Sequence, residues 1–291
     1  MPTTAQATVT VIGLGPMGRA LAGTLIKADE TVAVWNRTPG TASPLLERGA
    51  QWANSPAEAI AASPVTLINV VDHDAVDQIL SSAESVVEGR SIIGLTSDTP
   101  ERARHTARLV ADRGGRYLDG AIMTPAYTIG TPSASILLSG PRELFAEHQA
   151  LIEHLATPTW LDDEPGRAAA HDVALLDLFW STISGFLHAT ALARAEGISP
   201  TAFVPFAHGI REILPAIFDG FAERAEQNRH DDPVSMIRSI RASLAHLISA
   251  THDRGLDAAA LEAMRGYLDR AERAGHGEDE VTRILETMSR G

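Results

Sequence analysis

VTVIGLGPMGRALAGTLIKADETVAVWNRTPG, residues 9–40, reads as a strand, a glycine-rich turn, a helix and a second strand. Val9–Gly13 is short, apolar and β-branched, and Thr31–Trp35 repeats that pattern. Between them Gly13, Gly15 and Gly18 have the spacing G-x-G-x-x-G where a strand gives way to a helix. In such a turn the first glycine permits a tight bend and the second lets the backbone approach a pyrophosphate. The third lets helix and strand pack closely. The helix start adds free N–H groups and the positive end of a dipole. The expected dinucleotide cradle is therefore Gly13, Leu14, Gly15, Pro16, Met17 and Gly18. The alternative is a glycine-rich turn that holds no ligand.

The end of the second strand selects the cofactor. An acid there would accept hydrogen bonds from a ribose 2′-hydroxyl and repel a 2′-phosphate. This chain has Asn36-Arg37-Thr38 instead. Arg37 can pair with a phosphate dianion, and Asn36 and Thr38 can donate hydrogen bonds to it. The reading is NADPH rather than NAD; the alternative for Arg37 is a solvated surface arginine. Val71, at the end of the run Val65–Val71, joins the expected cofactor residues.

Further strand-like runs follow at Val65–Val71, Ser91–Leu95, Arg116–Asp119 and Ala134–Leu138. They alternate with helical stretches at Pro16–Ala28, Pro56–Ala62, Ala75–Ser82 and Thr99–Arg113. This is the pattern of βαβ units and a mostly parallel sheet. Near residue 160 it changes. DDEPGRAAAHDVALLDLFWSTISGFLHATALARAEG carries no strand punctuation. Pro165 suits a first helical turn and Gly197 a stop. The helix between would run about 45 Å. Leu175, Leu176, Phe179, Ile183, Phe186 and Leu187 lie around much of it, so burial is expected. Helices are expected near 201–227, 232–252, 257–274 and 277–289. The predicted architecture is α/β: a Rossmann domain over 1–162, an interdomain helix over 163–197 and an all-α domain over 198–291.

Composition narrows the function. A net charge of -13 disfavours a general nucleic-acid or anionic-membrane surface. No cysteine means no disulfide, thiolate nucleophile or thiolate-held metal. MPTTAQ lacks the basic-then-apolar pattern of a signal peptide, and no apolar run reaches the roughly 20 residues that span a bilayer. A soluble cytoplasmic protein is expected. The 11 histidines are scattered, so no metal site is expected.

A hydride cofactor still needs a proton donor or acceptor. The sequence holds one lysine, Lys27, inside the first nucleotide-binding helix. That disfavours a Tyr-x-x-x-Lys dehydrogenase, and a β-hydroxyacid dehydrogenase with its lysine early in the interdomain helix. The remaining candidate is Asp172. A carboxyl early in a buried apolar helix is costly unless neutral, paired or working. It is either an acid kept protonated by burial and fit to give a proton, or a capping or salt-bridged residue. Asp177 lies about 140° round the helix, so the two do not form one acid–base pair.

GLGPMG followed by VWNRT, then LTSDTPERAR, DGAIMTPAYTIGTPSASILLSG and DVALLDLFWSTISGFLHATALA, resemble the segments of the NADPH-dependent imine reductases and reductive aminases. The resemblance runs over nearly the whole chain. The spacing Gly166-x-x-x-x-x-Asp172 is similar to that family's active-site pattern. The resemblance implies an intertwined homodimer with a site between two chains, and a substrate that is an imine or a ketone plus an amine. It implies that Asp172 protonates the nitrogen or holds a cationic iminium by charge; these roles need opposite protonation states. It also implies a polar Ser97 near nicotinamide and substrate, and Met123 and Thr124 on the nicotinamide side. Trp180, about 80° from Asp172 on an ideal helix, lines the pocket or is a core tryptophan. Two positions depart from the family: Pro39-Gly40-Thr41 lacks its lysine, and His171 replaces a common tyrosine. The alternatives are a β-hydroxyacid-dehydrogenase-like enzyme and a non-catalytic NADPH-binding protein.

Overall fold

The computed structural model describes residues 6–288. The chain forms two compact units that part between Leu178 and Phe179. In chain order the first contains β1 (Val9–Ile12), α1 (Pro16–Lys27), β2 (Val32–Trp35), α2 (Ser43–Leu46) and β3 (Gln51–Trp52). Next come α3 (Pro56–Ala61), β4 (Val65–Ile68), α4 (His73–Ser81), β5 (Ser91–Gly94) and α5 (Pro100–Asp112). The unit ends with β6 (Arg116–Ile122), β7 (Ser135–Ser139), α6 (Arg142–Glu153), β8 (Thr157–Asp162) and the start of α7 (Arg167–Ala195).

The eight strands form one sheet in the order β3-β2-β1-β4-β5-β6-β7-β8. Neighbours are parallel except β6 and β7, which run antiparallel. The order reverses between β1 and β4, and it is outside the strand ends at such a switch point that open sheets bind ligands. Val9 and Val11 pack in one apolar cluster, Ile12 in the other. Both faces of the central strands are therefore covered, which is why they read as continuous apolar runs. Ser55, Asp72 and Thr99 cap α3, α4 and α5 with side-chain oxygens. No side chain caps α1.

The pattern reading named no element over 142–162, where α6 and β8 form, and it missed β3. β8 is an edge strand holding Pro158, a residue that weakens any strand assignment and is tolerated at edges. β3 has two residues, too few to show a period. Pro165 lies outside the helix, because Gly166 at φ +94° breaks the backbone path just before Arg167.

The expected burial of α7 is not met within one chain. Ala168, Ala169 and Asp172 are buried near its start, yet Leu175 is 40% exposed, Phe179 53% and Leu187 60%. By length and composition α7 is also apolar enough to cross a membrane, contrary to the expectation from apolar runs.

The second unit holds α8 (Pro200–Glu226), α9 (Ile237–Asp253), α10 (Ala259–Arg273) and α11 (Ile284–Met288). Its core gathers Ile237, Leu268, Ala271, Val281 and Ile284. α9 starts five residues later than expected at 232. The segment before it is held by Glu280, whose carboxylate is fully buried. Glu280 accepts the N–H groups of Val234 at 2.7 Å, Ser235 at 3.1 Å and Val281 at 3.0 Å, with the Arg224 guanidinium 3.8 Å away. The helix expected over 277–289 is a 3-10 turn at Val281–Arg283 followed by α11; residue 289 lies outside the described residues.

Candidate active site

Two features of the first unit lie at the strand ends. The first is a groove of about 470 Å³. Gly13, Gly15, Pro16 and Met17 line it from the turn into α1, Trp35 through Thr38 from the end of β2, and Asn69 through Val71 from the end of β4. Gly13 has φ +93°, and a Cβ there would sit 2.0 Å from the Asn69 carbonyl oxygen. A Cβ on Gly18 would lie 1.8 Å from the Gly13 carbonyl oxygen. These two glycines are demanded by the protein itself. Gly15 is different: its φ is -64° and a Cβ would meet nothing within 4 Å. Nothing in the chain demands glycine at this position, whereas a pyrophosphate in the groove would. With an uncapped helix start beside it, the cradle fits a pyrophosphate.

Gly15→Ala should therefore leave stability within about 0.5 kcal/mol of the parent. It should weaken dinucleotide binding about tenfold or more, because the added methyl occupies the space the pyrophosphate needs. Thermal melts and titration calorimetry check the two halves; unchanged affinity would remove the pyrophosphate from this place.

Arg37 and Thr38 are exposed at the groove, and Arg37 makes no ion pair among the described residues. This suits an anion. Asn36 corrects the expectation. Its Oδ1 accepts the Leu14 N–H at 3.0 Å. Its Nδ2 donates to the Thr38 carbonyl at 3.0 Å and to the Thr41 hydroxyl at 3.0 Å. Asn36 is a brace between the two turns, with both amide donors in use. Thr41 completes that brace by donating to the Thr38 carbonyl at 2.9 Å. Leu14 and Gly18 do not reach the groove: the Leu14 side chain is core, at 1% exposure.

The second feature surrounds Asp172, one turn into α7 and 3% exposed. Burial pushes its carboxyl above the ordinary value, and a hydrogen bond with Ser97 opposes the rise. Ser97 follows β5 and is itself exposed. Met123 and Thr124 follow β6; both are half-buried, and the Thr124 hydroxyl is buried with no hydrogen-bond partner. Trp180 belongs to the second unit, 62% exposed, its ring edge-on to Phe179 at 5.2 Å. His171 is exposed and bonds the Arg167 carbonyl at 2.9 Å.

Sequence reasoning gave no role to Asp119, although it is 2% exposed. It accepts the Ala169 N–H at 2.9 Å, three residues before Asp172. Burial pushes its carboxyl up; the Ala169 N–H, the His73 ring and the Gly166 N–H oppose this, and Asp172 adds to the rise. The signal available was an acid inside the apolar strand YLDGAI, a place where an acid needs partners.

Two family models together match nearly the whole chain. The NAD binding domain of 6-phosphogluconate dehydrogenase matches residues 8–162. The NADPH-dependent reductive aminase-like C-terminal domain matches residues 164–290. The chain is 28% identical over 285 residues, 97% of each protein, to an NADPH-dependent reductive aminase of Aspergillus oryzae. A reductive aminase from Aspergillus terreus, solved with NADPH and ethyl levulinate, is 34% identical over 98% of this chain and 100% of that one, with a TM-score of 0.93. An imine reductase of Streptomyces aurantiacus is 33% identical over 97% of this chain and 100% of that one, with a TM-score of 0.94.

Proposed function

This chain belongs to the family of NADPH-dependent imine reductases and reductive aminases, and from that premise we propose that it reduces C=N bonds with Asp172 beside the reacting nitrogen. The observation that carries the reading is the Asp172 carboxyl, buried one turn into α7 and raised above its ordinary value by that burial. Cyclic imines are the simplest substrates; ketones condensed with amines extend the class.

NADPH, when bound, supplies the hydride. The turn Gly13 to Met17 holds its pyrophosphate, and Arg37 pairs with the 2′-phosphate. Asn36 keeps the loop bearing Arg37 in shape rather than touching the phosphate. Asp172, raised by burial above its ordinary value, stays protonated to higher pH than an exposed aspartate. Activity that needs its proton falls as pH rises through that raised value.

Arg37→Ala should raise the KM for NADPH about 10–100-fold and change that for NADH little, since a charge-assisted pair is lost with the first alone. Equal use of both cofactors by the parent would refute the phosphate assignment. The reading as a whole is tested by NADPH oxidation with 1-pyrroline or 2-methyl-1-pyrroline against β-hydroxyacids with NADP⁺. Turnover of hydroxyacids without imines would overturn it.

The working form we propose is a homodimer away from membranes. The apolar residues of α7 left exposed by one chain, with Phe206 and Ile210 of α8 at 75% and 60% exposure, need covering. A bilayer would strand Asp172 and Asp177 in hydrocarbon, whereas a second copy can leave them wet or paired. Light scattering that returns a monomer at micromolar concentration would sink this part.

A further inference from the structure

His73, the first residue of α4, is 2% exposed, and the proposed chemistry gives it no part. It makes three hydrogen bonds. Its Nδ1 lies 3.0 Å from the Thr106 hydroxyl of α5, and its Nε2 lies 3.3 Å from the Thr96 carbonyl. Its backbone N–H donates to Asp98 Oδ2 at 3.3 Å. A carbonyl can only accept, so Nε2 carries the hydrogen; in the neutral ring Nδ1 then accepts from the Thr106 hydroxyl. Two of the three bonds thus go to the residues on either side of Ser97. The Thr96 carbonyl belongs to the planar peptide unit that leads into Ser97, so the ring fixes that plane.

The same turn is held from the groove side. The Asn69 amide donates to the Leu95 carbonyl at 2.5 Å, and the Val70 N–H donates to the Thr96 hydroxyl at 3.1 Å. Asn69 and Val70 also line the groove. Between these anchors Thr96 is buried and Asp98 half-buried, whereas Ser97 is exposed. The Ser97 hydroxyl is the group that opposes the rise of the Asp172 carboxyl.

We propose that His73 is the positioning residue for Ser97: gripping the turn on both sides, it fixes where the Ser97 hydroxyl stands at the carboxyl ends of the strands. This rests on the reading of Asp172 as the group beside the imine nitrogen. An exposed turn left to itself samples many backbone positions, and a misplacement of about 1 Å near a reacting centre can cost about 100-fold in rate. His73 suits the task because it is itself held twice, by Thr106 on its ring and by the start of α4, which Asp72 caps.

Two replacements separate the two bonds of the ring. Glutamine can place an amide near Nε2, and asparagine near Nδ1. His73→Asn should therefore release Thr96 and keep Thr106, and His73→Gln the reverse. With 2-methyl-1-pyrroline at saturating NADPH, His73→Asn should lower kcat about tenfold, with the Kd for NADPH held, and His73→Gln should recover most of that loss. Ser97→Ala should lower kcat itself, and His73→Asn added to it should cost less than about twofold more, because the hydroxyl it positions is gone. Asp98→Ala removes the other grip and should match His73→Asn; it decides the matter if the asparagine variant does not fold. Nitrogen-15 NMR of labelled histidine, with His73 assigned by its loss in His73→Gln, should show the hydrogen on Nε2. Equal losses in His73→Asn and His73→Gln, or a full tenfold loss on top of Ser97→Ala, would mean that His73 only packs α4 against α5, and would overturn the proposal. Parental kcat in His73→Asn, Asp98→Ala or Ser97→Ala, or a hydrogen on Nδ1 alone, overturns it too. Parental imine turnover by Asp172→Asn, with the other results as expected, instead overturns the placement of Asp172 at the reaction.

Discussion

Asp172→Asn should lower kcat for reduction of a cyclic imine by about 10²–10⁴-fold, the usual worth of a positioned proton donor. Asparagine keeps nearly the same shape and can still hydrogen-bond Ser97, so α7 should hold its place. What it loses is the ionisable proton. The groove proposed for NADPH lies at the ends of β1, β2 and β4, so the Kd for NADPH should not change. Single-turnover rates at saturating NADPH measure the loss free of product release. A folded variant with the parental rate would remove Asp172 from the chemistry.

Glu280→Ala should cost about 3–5 kcal/mol of stability, the range seen when one partner of a buried charge pair is removed. Alanine strips the acceptor from three backbone N–H groups, each costly to leave buried and unpaired. It also leaves the Arg224 guanidinium, at 13% side-chain exposure, without its nearby carboxylate. The loop before α9 and the turn before α11 would lose their common tie. Glu280→Gln retains an acceptor oxygen and should lose less. Urea unfolding, followed with hydrogen exchange at Val234 and Ser235, measures both. A loss below about 1 kcal/mol for the alanine variant would show that the N–H groups find other partners.

The parts of the molecule that were legible from sequence depend on short-range rules. The βαβ alternation, the glycine turn, and the long helix with Gly197 at its end follow from period, φ and capping within a few residues. Where the decision is made at long range, sequence reading falls short. Asn36 has the right chemistry for a phosphate, but its amide is spent on Leu14, Thr38 and Thr41, a fact visible only when two turns meet. Asp119 works through an N–H 50 residues away. Pro158 conceals β8 because only the finished sheet shows that strand to be an edge. The apolar pattern of α7 asks for burial, yet Leu175, Phe179 and Leu187 are exposed in one chain, an outcome the pattern does not announce.

Asp119 and Ser139 stand opposite each other across β6–β7 and accept the Ala169 and Ala168 N–H groups, so that ladder supports the first turn of α7. A slip of one residue would turn one of the two side chains to the opposite face of the sheet, and one of the two anchored N–H groups of α7 would lose its acceptor. The neighbouring ladder has an irregularity at the same level, where Leu138 pairs with Trp160 and Ser139 with Asp162. Length changes in the chain between Ile122 and Ser135 leave this alignment intact. A single residue inserted within β6 or β7 should displace the first turn of α7, and Asp172 with it, so the tolerance of this enzyme to insertion should change abruptly at those strand boundaries.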